Sequence, residues 1–155
     1  LAASLEVLSL SGNRLKDVRP LSVLSSLVEV NINFNQVADL SPLFECDQLE
    51  KLFASHNVVA SVAGVGDGCP KLRELSLLAN CVGGSHEELA EALRGLPELR
   101  SLDIGQNPCM VGSGTRYTLL QALPQLKLLD GSSVTALDRS LASSFMEGRS
   151  SRGSV

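Results

Sequence analysis

The chain is poor in aromatic rings, with no Trp, one Tyr and four Phe in 155 residues. Each ring that does occur therefore needs a reason for its place. Long apolar runs are missing too: nothing approaches the roughly 18 consecutive residues of a membrane span, which argues against a membrane partner, and no secretory signal pattern opens the sequence. Metal-ligand spacings of the CxxC or HxxxH kind are absent, and His56 and His86 are the whole histidine complement, so no metal is expected. His56 has no Ser or Cys set beside it as a nucleophile. The glycines of residues 64–70 lack the Lys-Ser/Thr ending and strand-to-helix context of a phosphate loop. Neither catalysis nor a cofactor is indicated. The net charge of −4 includes no cationic cluster of the kind nucleic-acid surfaces need.

What is present is a phrase repeated five times. Each copy runs apolar, two residues, apolar, one residue, apolar, two residues, Asn. The copies start at Leu5, Leu27, Leu49, Leu72 and Leu99 and end at Asn13, Asn35, Asn57, Asn80 and Asn107, spaced 22, 22, 23 and 27 residues apart. A fixed period of this size means stacked supersecondary units. Side chains alternate along a strand, so Leu8 and Leu10, Val30 and Ile32, Leu52 and Ala54, Leu75 and Leu77, and Leu102 and Ile104 point inward. A buried Asn amide can bond the backbone groups that the turn after each strand strands, which makes the Asn ladder structural. Leu15, Val37, Val59, Val82 and Cys109 extend the core as one stack, and Leu24, Cys46, Cys69, Leu96 and Leu123 as another. Cys81 falls on an outward position, as an exposed ordinary thiol.

The fourth unit is longer, and Ser85 followed by Glu88 predicts a capped helix over 85–94. Thr135 and Asp138 form a second such pair, opening a helix whose Leu137, Leu141 and Phe145 read as a packing stripe over the solenoid end. Residues 148–155 carry no core former and read as a mobile tail. Leu1 to Ser4 read as the end of a preceding unit, as in a fragment of a longer protein.

The five phrases resemble the leucine-rich repeats, in the short intracellular class near 22 residues. The segment after Asn107-Pro108, with Arg116-Tyr117 and then Leu123-Pro124-Gln125-Leu126-Lys127-Leu128-Leu129-Asp130, resembles the terminal cap of that class. The resemblance implies an α/β fold: a right-handed solenoid with a concave parallel β-sheet, and turns, short helical segments and two longer helices on the convex side. Repeats and cap would occupy residues 1–130, a capping helix 131–147 and the tail 148–155. Secreted relatives carry paired cysteines in flanking caps, and their lack here favours a reduced, intracellular and cytoplasmic setting.

A solenoid's strand face is its usual binding surface. One outward row is Val7, Glu29, Lys51, Glu74, Ser101 and Leu128; the next is Ser9, Asn31, Phe53, Ser76, Asp103 and Asp130; a third is Ser11, Asn33, Ser55, Leu78 and Gly105; and the adjoining turn carries Gly12, Phe34, His56, Ala79 and Gln106. Glu29, Lys51 and Glu74 alternate in sign and compensate one another. Two of the four Phe residues on an open face are costly unless something covers them. Phe53, Phe34, His56 and Leu78, rimmed by Asn31, Asn33, Lys51, Glu29, Glu74 and Asp103, are therefore the candidate partner-binding residues. The function expected is a non-catalytic scaffold for another protein, such as a helix or a cytoskeletal component. The resemblance leans toward cytoskeletal or ciliary assemblies, through the Leu-Asp-Gly cap and the Val-Thr start of the last helix. The alternative it leaves open is a regulatory or targeting subunit of a phosphatase or ribonucleoprotein complex.

Overall fold

A computed structural model describes residues 4–112 and 114–153. Leu1 to Ala3, and the last two residues of the expected tail, lie outside that range.

Short strands recur once per phrase: β1 (Val7–Ser9), β2 (Glu29–Asn31), β3 (Lys51–Phe53), β4 (Glu74–Ser76), β5 (Ser101–Asp103) and β6 (Leu128–Leu129). They pair in parallel in chain order, and β7 (Ser132–Ser133) closes the sheet antiparallel to β6. Each connection returns over the opposite side. In the first two repeats it contains a 3₁₀ turn, Arg19–Val23 and Ser41–Glu45, each with Pro near its start, where a missing N–H costs nothing. In the third it is the single-turn helix α1 (Val65–Gly68), and in the fourth the helix α2 (His86–Arg94). Ser85 and Glu88 cap α2 reciprocally, as the spacing predicts. A one-turn connection packs beside a full helix only through bare backbone: a Cβ on Gly66 would lie 2.9 Å from the Gly95 Cα.

The inward rows form one continuous core from Val18 to Ala142, including Cys46, Cys69 and Cys109. These cysteines do more than fill space. The Cys46 thiol faces the Leu21 carbonyl at 3.7 Å, and the Cys69 thiol faces the Leu43 carbonyl at the same distance, so each thiol can donate to the preceding coil. Burial pushes the Cys69 thiol up to about 12 and raises Cys46 and Cys109 as well.

Asn35, Asn57, Asn80 and Asn107 are buried and do the same job. Asn57 accepts from the Val37 N–H at 3.0 Å and donates to the Ile32 and Ala54 carbonyls at 2.9 and 3.1 Å, bridging two coils. Asn13 differs. It is exposed and bonds only the Leu10 and Ser11 carbonyls of its own turn, because no coil stacks on its outer side among the described residues.

At the far end the phrase changes and so does the closure. Asp130 turns out of the strand direction at φ 51°, and its Oδ1 accepts from the Ile104 and Gly105 N–H groups at 2.8 and 2.9 Å. In every earlier repeat the N–H equivalent to that of Ile104 bonds the next strand's carbonyl. The carboxylate thus takes the place of the strand carbonyl that the shorter β6 does not supply, which is the physical content of the Leu-Asp ending.

Three longer helices, rather than two, cover the convex side: α2, α3 (Gly114–Ala122) and α4 (Ala136–Arg152). Thr135 and Asp138 box the start of α4. The helix continues to Arg152, through residues read from the sequence as a tail, since Arg149 reaches back to Glu87 on α2 at 3.0 Å. The expected packing stripe is also corrected. Leu137 and Leu141 are exposed, at 67% and 46%, whereas Ala142 is buried and Phe145 meets Tyr117 of α3 at 5.0 Å. Arg139 sets this rotation by donating to the Leu120 and Leu126 carbonyls, turning the two leucines outward.

Candidate binding face

The strand register places Val7, Glu29, Lys51, Glu74, Ser101 and Leu128 side by side, with Ser9, Asn31, Phe53, Ser76 and Asp103 in the next row. Phe53 is half-buried in its row. The adjoining turn row has a conformation of its own. Gly12, Phe34, His56, Ala79 and Gln106 all adopt left-handed backbone, φ 54° to 71°. The N–H of each residue from Gly12 to Ala79 bonds a carbonyl of the following repeat. The solenoid therefore demands this conformation whatever the side chain, at about 1 to 2 kcal/mol for a residue with a Cβ. Gly is the economical choice there, and Gly12 takes it.

Phe34 and His56 are the opposite choice. Their rings stack at 4.4 Å between centroids and 7° between planes, so the pair continues the strand ladder into the solvent side. Phe34 remains 57% exposed. The stack ends on small groups in both directions, since Gly12 precedes it and Ala79 follows it in the row. A Cβ built on Gly12 would meet nothing within 4 Å, so the space beyond Phe34 is open.

The polar rim is partly committed to the fold. Asn31 Oδ1 accepts from the Asn33 N–H at 3.0 Å, and Asn33 Oδ1 from the Ser55 N–H at 2.7 Å. Ser55, expected to point outward, is buried, its hydroxyl 2.5 Å from that of Ser76. Lys51 lies 3.8 Å from Glu29, whereas Glu74 makes no ion pair among the described residues, so the expected compensation covers only one of the two acids.

Toward the cap the face becomes acidic. Glu74, Asp103 and Asp130 sit on β4, β5 and the turn after β6, with Leu78 and the bare backbone of Gly105 among them. A Cβ on Gly105 would lie 3.4 Å from a Leu78 methyl and 3.6 Å from Asp130 Oδ1. Burial, and secondarily the neighbouring Asp130 charge, hold the Asp103 carboxyl above the ordinary range. The role of Asp130 as a backbone acceptor was not readable as such from its outward position in the phrase.

No group of three or more His, Cys, Asp or Glu gathers as a metal site among the described residues, and no helix there is long and apolar enough to cross a membrane.

Known proteins share this plan. A profile of leucine-rich repeats, in two copies, matches residues 3–45. Cilia- and flagella-associated protein 410 of Homo sapiens is 31% identical over 147 residues, covering 94% of this chain and 47% of that protein. A chain in the Drosophila melanogaster SNF/U2A' complex superposes with TM-score 0.76 at 22% identity, over 96% of this chain and 87% of that one. An internalin of Listeria monocytogenes superposes with TM-score 0.70 at 25% identity, over 84% of this chain and 36% of its own. The chain spans about half or less of the length of the curated relatives it matches.

Proposed function

The chain belongs to the leucine-rich-repeat proteins of the short-repeat class, and on that premise we propose that it is a non-catalytic scaffold that holds another protein on its strand face, as part of a ciliary assembly. The observation that carries this reading is the Phe34–His56 stack. Two rings occupy backbone positions where a side chain costs stability, in a chain with few rings, and both remain exposed. An exposed aromatic pair beside Phe53 and Leu78, rimmed by polar groups, has the anatomy of an interface anchor. The ciliary setting rests on the relatives named for cilia and flagella. The likeness to the SNF/U2A' complex, at 22% identity, carries the fold and not the partner.

The test is capture of partners from ciliated cells by the wild-type chain and by a Phe34→Ala/Phe53→Ala variant shown to be folded, with identification by mass spectrometry. Ciliary or axonemal proteins, lost from the variant, are the expected result. Recovery of phosphatase or ribonucleoprotein components instead would replace the ciliary reading, and unchanged capture by the variant would remove the face itself.

A further inference from the structure

The unpartnered strand face is divided along the solenoid. Its apolar part, Phe34, His56 and Phe53, lies on the second and third repeats. Its charged part lies on the fourth, fifth and cap units, where Glu74, Asp103 and Asp130 face out without a paired cation among the described residues. Among the described residues, Lys51 is the face's one cation, and it stands beside Glu29. The nearest run of basic residues, Arg73, Arg100 and Lys127, lies one position before each strand row, where Arg100 pairs with Glu98. Within the charged part, the bare, half-buried backbone of Gly105 lies between a Leu78 methyl and the Asp130 carboxylate.

We propose that the occupant of this face is a basic segment of a partner protein, placing an apolar or aromatic side chain against the Phe34–His56 stack and a lysine or arginine over Gly105. There its stem would run along Leu78 and its charged head would meet Asp103 and Asp130. Charge complementarity selects this occupant over an acidic or neutral one, because a second anion would add to carboxylates that already lack a counter-charge. The proposal rests on the strand-face reading given above and adds the partner's chemistry to it. The stack spans the turns after β2 and β3, two to three strands from β5, so anchor and cation would be separated by about 10 to 14 Å. A cation at this point would also relieve the mutual repulsion that, with burial, raises the Asp103 carboxyl.

A display library of random dodecapeptides, selected on the full immobilised chain, tests this chemistry whichever protein carries the segment. Selected peptides are expected to pair Lys or Arg with Phe, Leu or Trp, and to compete with one another. Their affinity is expected to fall about tenfold on Glu74→Gln/Asp103→Asn, equivalent to about 1.4 kcal/mol, to fall on Phe34→Ala, and to weaken between 50 and 300 mM salt. Asp130 is left intact because it bonds the sheet edge. Neutral or acidic peptides that need Phe34 but ignore the charge variant would overturn this inference and leave the face standing. Peptides indifferent to both variants, or no selectable peptide, would overturn both.

Discussion

At the scale of single residues, the solenoid is closed by amides whose worth depends on their neighbours rather than on their place in the phrase. Asn57 ties its own buried turn to the preceding coil, and its loss would leave the Val37 N–H without a partner and take one of two amide donors from each of the Ile32 and Ala54 carbonyls. Asn57→Ala is expected to cost about 1 to 3 kcal/mol in urea unfolding. Asn13→Ala, at an exposed turn whose amide bonds only its own coil among the described residues, is expected to stay within about 0.5 kcal/mol. Equal costs would mean that the bonds between coils contribute nothing. Asp103 gives a second test. Its folded-state carboxyl titrates above its unfolded value, so the folded chain holds the proton more readily, and this group stabilises the fold progressively as pH falls through the raised range. Asp103→Asn is therefore expected to be more stable than wild type near neutral pH, with the gap shrinking as pH drops toward 3.8. Denaturant midpoints across that range measure it, and a gap that widens on acidification would reverse the assignment.

At the scale of elements, α4 shows how far an apolar stripe can mislead. Leu137, Leu141 and Phe145 share a helical face by spacing alone. Yet the helix docks through Ala142 and Phe145 because the Arg139 guanidinium finds the carbonyls of Leu120 and Leu126. Leu137→Ser with Leu141→Ser is expected to change thermal stability by less than about 0.5 kcal/mol, whereas Phe145→Ala removes the contact with Tyr117 and costs about 1 to 3 kcal/mol. A larger loss from the leucine pair would restore the stripe as packing. Helix starts, by contrast, were legible from sequence, since Ser85–Glu88 and Thr135–Asp138 each satisfy orphan backbone groups within four residues of chain.

At the scale of the whole molecule, stability is a sum over coils and their neighbours. The first coil is packed from one side among the described residues, with Leu5 and Val7 exposed and Asn13 unbridged. Hydrogen–deuterium exchange should release the amides of residues 5–13 well before those of β3 to β5. Uniform protection along the sheet would mean that folding is all-or-none despite the linear architecture.

The period, the inward rows, the turn-closing amides and the outward rows all follow from the order of residues, because a strand alternates its faces and a stacked repeat brings equivalent positions together. These are local rules copied many times, so sequence determines them. Which of the outward residues are free is another matter. Phe34 and His56 became one stacked surface, Ser55 went under cover, Glu74 was left without its lysine, and Asp130 stayed exposed while giving one carboxylate oxygen to the closing of the sheet. Those outcomes depend on distances between coils and on competition for the same donors. Only the assembled sheet could decide them, because only there do residues more than twenty positions apart come within hydrogen-bonding reach.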